Sequence, residues 1–215
     1  MKFRHPYRDL SQPASLSSQV LKVLAKVSPE RDLHVDGVAQ AVVNLSRLFT
    51  TARATLPLRY LDDSAHASAY LSYFLPVNLS KVQVLLEELP EDSDREALGH
   101  PMAALDLGCG PGTGALALLD WLWHRSPERA KSLSVLAADS SHESLQDAKR
   151  LWDDYCQSAG ISSKGLSCVE GNLEHPLKGN LGKQIVQGGP YDLIIMANCL
   201  NELFLAVYRF IAPSR

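Results

Sequence analysis

A chain of 215 residues, 46% hydrophobic and 21% charged, has the make-up of a folded globular protein and the length for one ordinary domain plus a sizeable extension. No run reaches the roughly 18 apolar residues that a membrane-spanning helix needs, so a soluble protein is expected. The net charge of −3 gives the chain as a whole no long-range pull on nucleic acid, yet residues 1–60 carry nine Lys/Arg against four Asp/Glu, and residues 61–100 carry two against eight. Any basic contact surface is therefore expected in the first sixty residues.

Residues 1–18 lack the apolar stretch and cleavage site of a secretory signal. With Lys2, Arg4, Arg8 and several serines against Asp9 alone, they weakly resemble an organelle transit peptide. From Ser15 to about Leu89 apolar residues recur at helical spacing: Val20, Leu21 and Leu24, then Val38, Val42, Val43, Leu45 and Leu48, then Val82, Val84, Leu85 and Leu86. The pattern predicts an all-helical amino-terminal domain over residues 1–95. Pro76 predicts either two helices, 67–75 and 78–89, or one kinked at the proline. The polar, proline-bounded stretch 90–101 has the composition of a linker.

Beyond it, short apolar runs alternate with helical stretches, which predicts an α/β domain with a parallel sheet over residues 96–215. Strands are expected at 103–107, 133–138, 166–169 and 193–197, with a helix over 113–123. Ser140 and Glu143 suggest a capping box for a helix whose Leu145, Ala148, Trp152 and Tyr155 share one face and which stops near Gly160. A last helix is expected from about Asn201. The cysteines, Cys109, Cys156, Cys168 and Cys199, form no Cys-x-x-Cys pair, so free thiols and no metal are expected.

The chemistry concentrates in Leu105-Asp106-Leu107-Gly108-Cys109-Gly110-Pro111-Gly112-Thr113-Gly114. Glycines at alternate positions after a strand let the backbone turn tightly and approach a ligand, and the following helix offers unpaired N–H groups. A dinucleotide would set its pyrophosphate there, and Gly110, Gly112 and Ala115 can be fitted to that fingerprint. The Asp106 carboxylate disfavours a phosphate and attracts the ammonium and sulfonium of S-adenosylmethionine (SAM). Asp139, ending the second strand, is placed either for ribose hydroxyls or as a helix-start acid. Asn172 and Leu173 are placed to frame an adenine. Asn198, Cys199, Asn201 and Glu202 follow the fourth strand, where a methyl acceptor would come; Asn198 and Glu202 are the catalytic candidates, Asn198 also a cofactor contact. Cys199 is expected to be a packed thiol rather than a nucleophile, and His124 a surface or packing residue.

The loop from Asp106 to Gly114 and the acid Asp139 resemble the first and second motifs of class I SAM-dependent methyltransferases, which implies a Rossmann-like sheet. The wider chain resembles a family of methyltransferase-like proteins associated with the small ribosomal subunit in bacteria and mitochondria. That resemblance rests on Ser46-Arg-Leu-Phe-Thr-Thr-Ala-Arg53, Tyr60-Leu-Asp62, Ala69-Tyr-Leu-Ser-Tyr-Phe-Leu-Pro-Val-Asn78 and Leu200-Asn-Glu-Leu203. It implies SAM as cofactor, a role in modifying or assembling small-subunit ribosomal RNA, and a cytoplasmic place, or a mitochondrial one in a eukaryote. The helical half would face the ribosomal partner through Arg47, Arg53 and Arg59. The family's sheet has seven strands, so with about four this one is expected to be carboxy-terminally incomplete, leaving strand four as an edge. Members can carry a cysteine cluster suited to an iron–sulfur centre, for which these four cysteines give no sign. Three functions stay open: a methyltransferase acting on RNA, a SAM-binding assembly factor without turnover, and a small-molecule methyltransferase. An Asn-Pro-Pro-Tyr amine-methylation signature is replaced here by Asn198-Cys-Leu.

Overall fold

The computed structural model describes residues 16–27, 35–89, 101–162, 165–176, 179–200 and 203. Residues 1–15 of the transit-like stretch, residues 90–100 of the linker and the helix expected from Asn201 lie outside the described residues, Leu203 apart.

Helices form the first half, as the periodicity requires. Helix α1 (Ser18–Val27) turns Val20 and Val23 fully inward and Leu21 outward, and α2 (Val35–Phe49) buries Ala41 and Leu45. Two single turns follow at Arg53–Thr55 and Tyr60–Asp62. Then α3 (Ser64–Ala69), capped by the Asp63 carboxylate on the His66 N–H, runs through a wider π turn at Tyr70–Phe74 into α4 (Leu75–Glu87). The Leu75 N–H reaches back to the Tyr70 carbonyl, and this extra residue falls just before Pro76, which has no N–H to give. The proline therefore sits inside a continuous helical run, rather than between two separate helices.

The second half is a mixed α/β unit. Strands β1 (Ala103–Leu107), β2 (Ser134–Asp139), β3 (Leu166–Glu170) and β4 (Leu193–Ile195) form a parallel sheet in the order β3-β2-β1-β4. Its order reverses beside β1, as in a doubly wound, Rossmann-like sheet, and such a switch point leaves a crevice at the carboxyl ends of the strands. Between the strands run α5 (Thr113–Arg125), α6 (Pro127–Lys131), α7 (His142–Ala159) and α8 (Leu181–Gly188). The sequence did not announce α8: Leu181 is its buried anchor, and Val186 is 80% exposed. Strand β4 stops two residues short of its expected end. Among the described residues it pairs only with β1, on the sheet's edge.

The two halves share one core. Leu45, Leu75, Leu79 and Val82 of the helical half belong to the same buried cluster as Leu116, Leu122, Trp152 and Tyr155. Helix α4 packs on α5, and α1 on α7. A buried carboxylate, Asp120 of α5, ties the four together. It accepts the Ser17 hydroxyl at 2.5 Å, the Tyr155 hydroxyl at 2.7 Å and the Gln83 amide at 2.6 Å. Ser17 Oγ in turn accepts the Val20 N–H, capping α1. Because Asp120→Ala strands three donors at roughly 1–3 kcal/mol each, it is expected to destabilise the chain by about 3 kcal/mol or more. Tyr155→Phe deletes a single bond and should cost about 1 kcal/mol. Urea denaturation of both variants checks the ratio.

Candidate functional site

The glycine loop is pinned before it reaches open space. Gly108 and Cys109 both donate their N–H to the Ala138 carbonyl at the end of β2, at 2.8 and 3.1 Å. Gly110, at φ +52°, donates to Asp139 Oδ2 at 2.8 Å, while the Ser141 N–H donates to Oδ1 of the same carboxylate at 2.9 Å. Asp139 thus bridges the loop and the start of α7. Burial pushes its pKa up, opposed by the N–H groups of Ser141, Gly110 and Ser140. The helix cap is Ser141, whose hydroxyl accepts from Ser144, and not the Ser140 of the expected capping box.

The four glycines divide into two pairs. Only Gly108 and Gly110 line the cavity at the strand ends. A Cβ on Gly110 would meet nothing nearer than Leu61 at 3.8 Å, so its backbone stays open on that side. Gly112 instead packs on Ala148, and a Cβ on Gly114 would strike Asp106 Oδ2 at 2.7 Å and Ile195 at 2.8 Å. Asp106 itself is 1% exposed and lies beneath the loop, outside the lining. Its Oδ2 accepts the Ala115 N–H of α5 at 2.8 Å, and its Oδ1 has no hydrogen-bond partner among the described residues. Burial, outweighing that hydrogen bond, lifts its pKa from 3.8 to about 7. The expected direct attraction of a ligand cation is thus replaced geometrically by a role in holding the loop and the helix start.

The cavity measures about 360 Å³, within the range of small-molecule sites. Its sheet-side wall contains Asp139, Ser140, Ser141, Gly171, Asn172 and Leu173, and its β4 side Ala197, Asn198, Cys199 and Leu203. Asn198, exposed and at φ 62°, turns the chain after β4. Cys199 is buried, its Cβ would lie 2.5 Å from a Cβ on Gly108, and its Sγ donates to the Leu107 carbonyl at 3.1 Å. Gly108 is thereby required for the chain after β4 to close over the loop. Burial raises the Cys109, Cys156 and Cys168 thiols, which keeps them protonated and poor nucleophiles. His124 is away from the cavity, on the Asp120 carbonyl. Glu202 and Asn201 lie outside the described residues. Among those described, no cluster of three or more His, Cys, Asp or Glu is arranged to hold a metal, and no helix is long and apolar enough to cross a membrane.

What the sequence reading missed is the opposite wall. Ser46, Phe49, Thr50 and Arg53 form one stripe, and Tyr70, Phe74, Asn78 and Lys81 another, and both face the cavity. Phe49 meets Tyr60 and Phe74 edge-on at 5.3 and 5.1 Å. The spacing of these stripes at i, i+3, i+4 and i+7, and at i, i+4, i+8 and i+11, was the available signal. The helical half is therefore a cavity wall as well as an outer surface. Its closure is marked by Leu61 over Gly110, by the Ser141 hydroxyl on Asp62 at 2.6 Å, and by Arg59 on Glu170 at 2.7 Å.

No protein-family model and no curated protein matches the chain.

Asp106 generates a pH test. In the folded chain it keeps its proton through a range where the unfolded chain, at the ordinary 3.8, has released it. That contribution to stability is complete below about pH 4 and is lost as pH rises through about 7. Asp106→Asn, which carries no charge to bury, should gain in melting temperature over the unsubstituted chain between about pH 5 and about pH 8. A difference that stays constant across that range contradicts the assignment.

Proposed function

We propose that the cavity binds SAM, and that the chain acts on small-subunit ribosomal RNA as a methyltransferase or assists its assembly as a SAM-holding factor. The observation that carries the cofactor reading is Asp139. It stands at the carboxyl end of β2 in one cavity wall with the open backbone of Gly110, and with Asn172 and Leu173 after β3. A carboxylate there has lone pairs beyond those taken by backbone N–H groups for a pair of ribose hydroxyls. Asn172 and Leu173 offer a polar edge and an apolar face to the base. A dinucleotide is disfavoured because the Ala115 N–H at the head of α5, where a pyrophosphate would sit, is already taken by the Asp106 carboxylate.

Methyl transfer at such a site is an in-line displacement. The acceptor's lone pair forms the new bond to the methyl carbon, the carbon–sulfur bond breaks, sulfur keeps the electron pair as a thioether, and the acceptor sheds a proton where it carries one. Positioning does most of this work, and Asn198 and Cys199 form the side from which the acceptor comes. The ribosomal RNA part of the reading is supported by the resemblance of the motifs at 46–53, 60–62, 69–78 and 200–203. A cavity that suits one cofactor-sized molecule, closed by Phe49, Tyr60, Tyr70 and Phe74, favours the holding factor as the second reading.

Calorimetric titration with SAM, with melting followed in parallel, tests the proposal. Binding in the micromolar range is expected, weakened about tenfold or more in Asp139→Ala. A folded chain that gives no binding heat and no thermal shift overturns the cofactor. Transfer of a labelled methyl group to small-subunit RNA then separates enzyme from holding factor.

A further inference from the structure

The helical wall carries an unanswered charge. Arg53 lines the cavity directly after α2, held by Nη2 donating to the Phe49 carbonyl. Its Nε is buried and has no hydrogen-bond partner among the described residues. Lys81, on the second stripe, donates to Asn78 Oδ1 at 3.2 Å. No carboxylate pairs with either cation among the described residues, whereas the neighbouring Arg59 is matched by Glu170. A guanidinium N–H shut away from water without an acceptor is costly, and a planar anion accepting from its fork removes that cost.

We propose that Arg53, with Lys81 at the rim, forms an anion subsite that receives the carboxylate of the bound cofactor's amino-acid tail. The inference rests on the SAM reading of the same cavity. That cavity is polarised, with the acceptor Asp139 on the sheet wall, and Arg53 and Lys81 beside the Glu170-paired Arg59 and an aromatic surface on the helical wall. Such a layout fits a ligand with hydroxyls at one end and a carboxylate at the other. It also places Arg53, expected on the RNA surface, in the lining of the cavity.

The test compares SAM with decarboxylated SAM, which differs by that carboxylate alone. The unsubstituted chain should prefer SAM by about tenfold or more, the size of a charge-assisted hydrogen-bond pair. Arg53→Gln should bring SAM down to the affinity of the decarboxylated compound, and leave the latter's own affinity unchanged, which also shows that the variant is folded. Arg53→Lys should keep part of the preference, because charge survives and the fork does not. Lys81→Gln alters an exposed side chain and should narrow the preference without disturbing the wall. Equal affinity of the unsubstituted chain for both compounds, or a full preference surviving in Arg53→Gln, overturns the subsite. Failure of the unsubstituted chain to bind either compound removes the SAM reading instead.

Discussion

Every feature at the carboxyl edge of the sheet depends on where the amide hydrogens of the glycine loop go. A turn this tight exposes a run of N–H groups, and buried ones must be paired. Here the Ala138 carbonyl takes those of Gly108 and Cys109, Asp139 takes Gly110, the Cys109 carbonyl takes Gly112, and Asp106 takes Ala115. The accounting sets the loop's shape without a ligand, so ordering it on binding costs little. It also explains why Asp139 sits close enough to add to the rise in the pKa of Asp106, itself mainly due to burial: each holds the same loop from a different side. Asp139 does so from the cavity wall, and Asp106 from beneath.

The second determinant is the way the helical half reaches across. The exposed Arg59–Glu170 pair adds little by itself, as solvated ion pairs do. The shared core and the Asp120 node supply the persistence, because α1, α4, α5 and α7 cannot separate without unpairing a buried carboxylate. With those helices fixed, the segment from Ser46 to Lys81 lies over the strand ends. The lining of the cavity is therefore divided: the Asp139 carboxylate and the Asn172 amide from the sheet, and aromatic and cationic surface from the helices.

Much of this was legible from the chain itself. Strand β1, the glycine loop, the inward face of α7 and its stop at Gly160 follow from periodicity and local chemistry. Asp139, Asn172, Leu173 and Asn198 reach the cavity because the carboxyl ends of parallel strands converge by construction. Asp106 was harder to place, since its charge argued for a ligand while its final position is decided by burial and a helix-start amide. The function of the Phe49 and Phe74 stripes was hidden for another reason. Aromatic residues at helical spacing mark a core as readily as a cavity wall, and only the docking of the two halves distinguishes them. The register of Pro76 in a π turn likewise depends on a hydrogen-bond ladder that no residue type announces.

On the proposed reading both halves enclose one ligand. Amide hydrogen exchange of the full chain with and without saturating SAM tests it most directly. Slower exchange is expected in the loop at 108–110, at 139–141 and in the helical segments 46–53 and 70–81 together. Protection confined to the glycine loop and strand ends, with the helical segments unchanged, would contradict it.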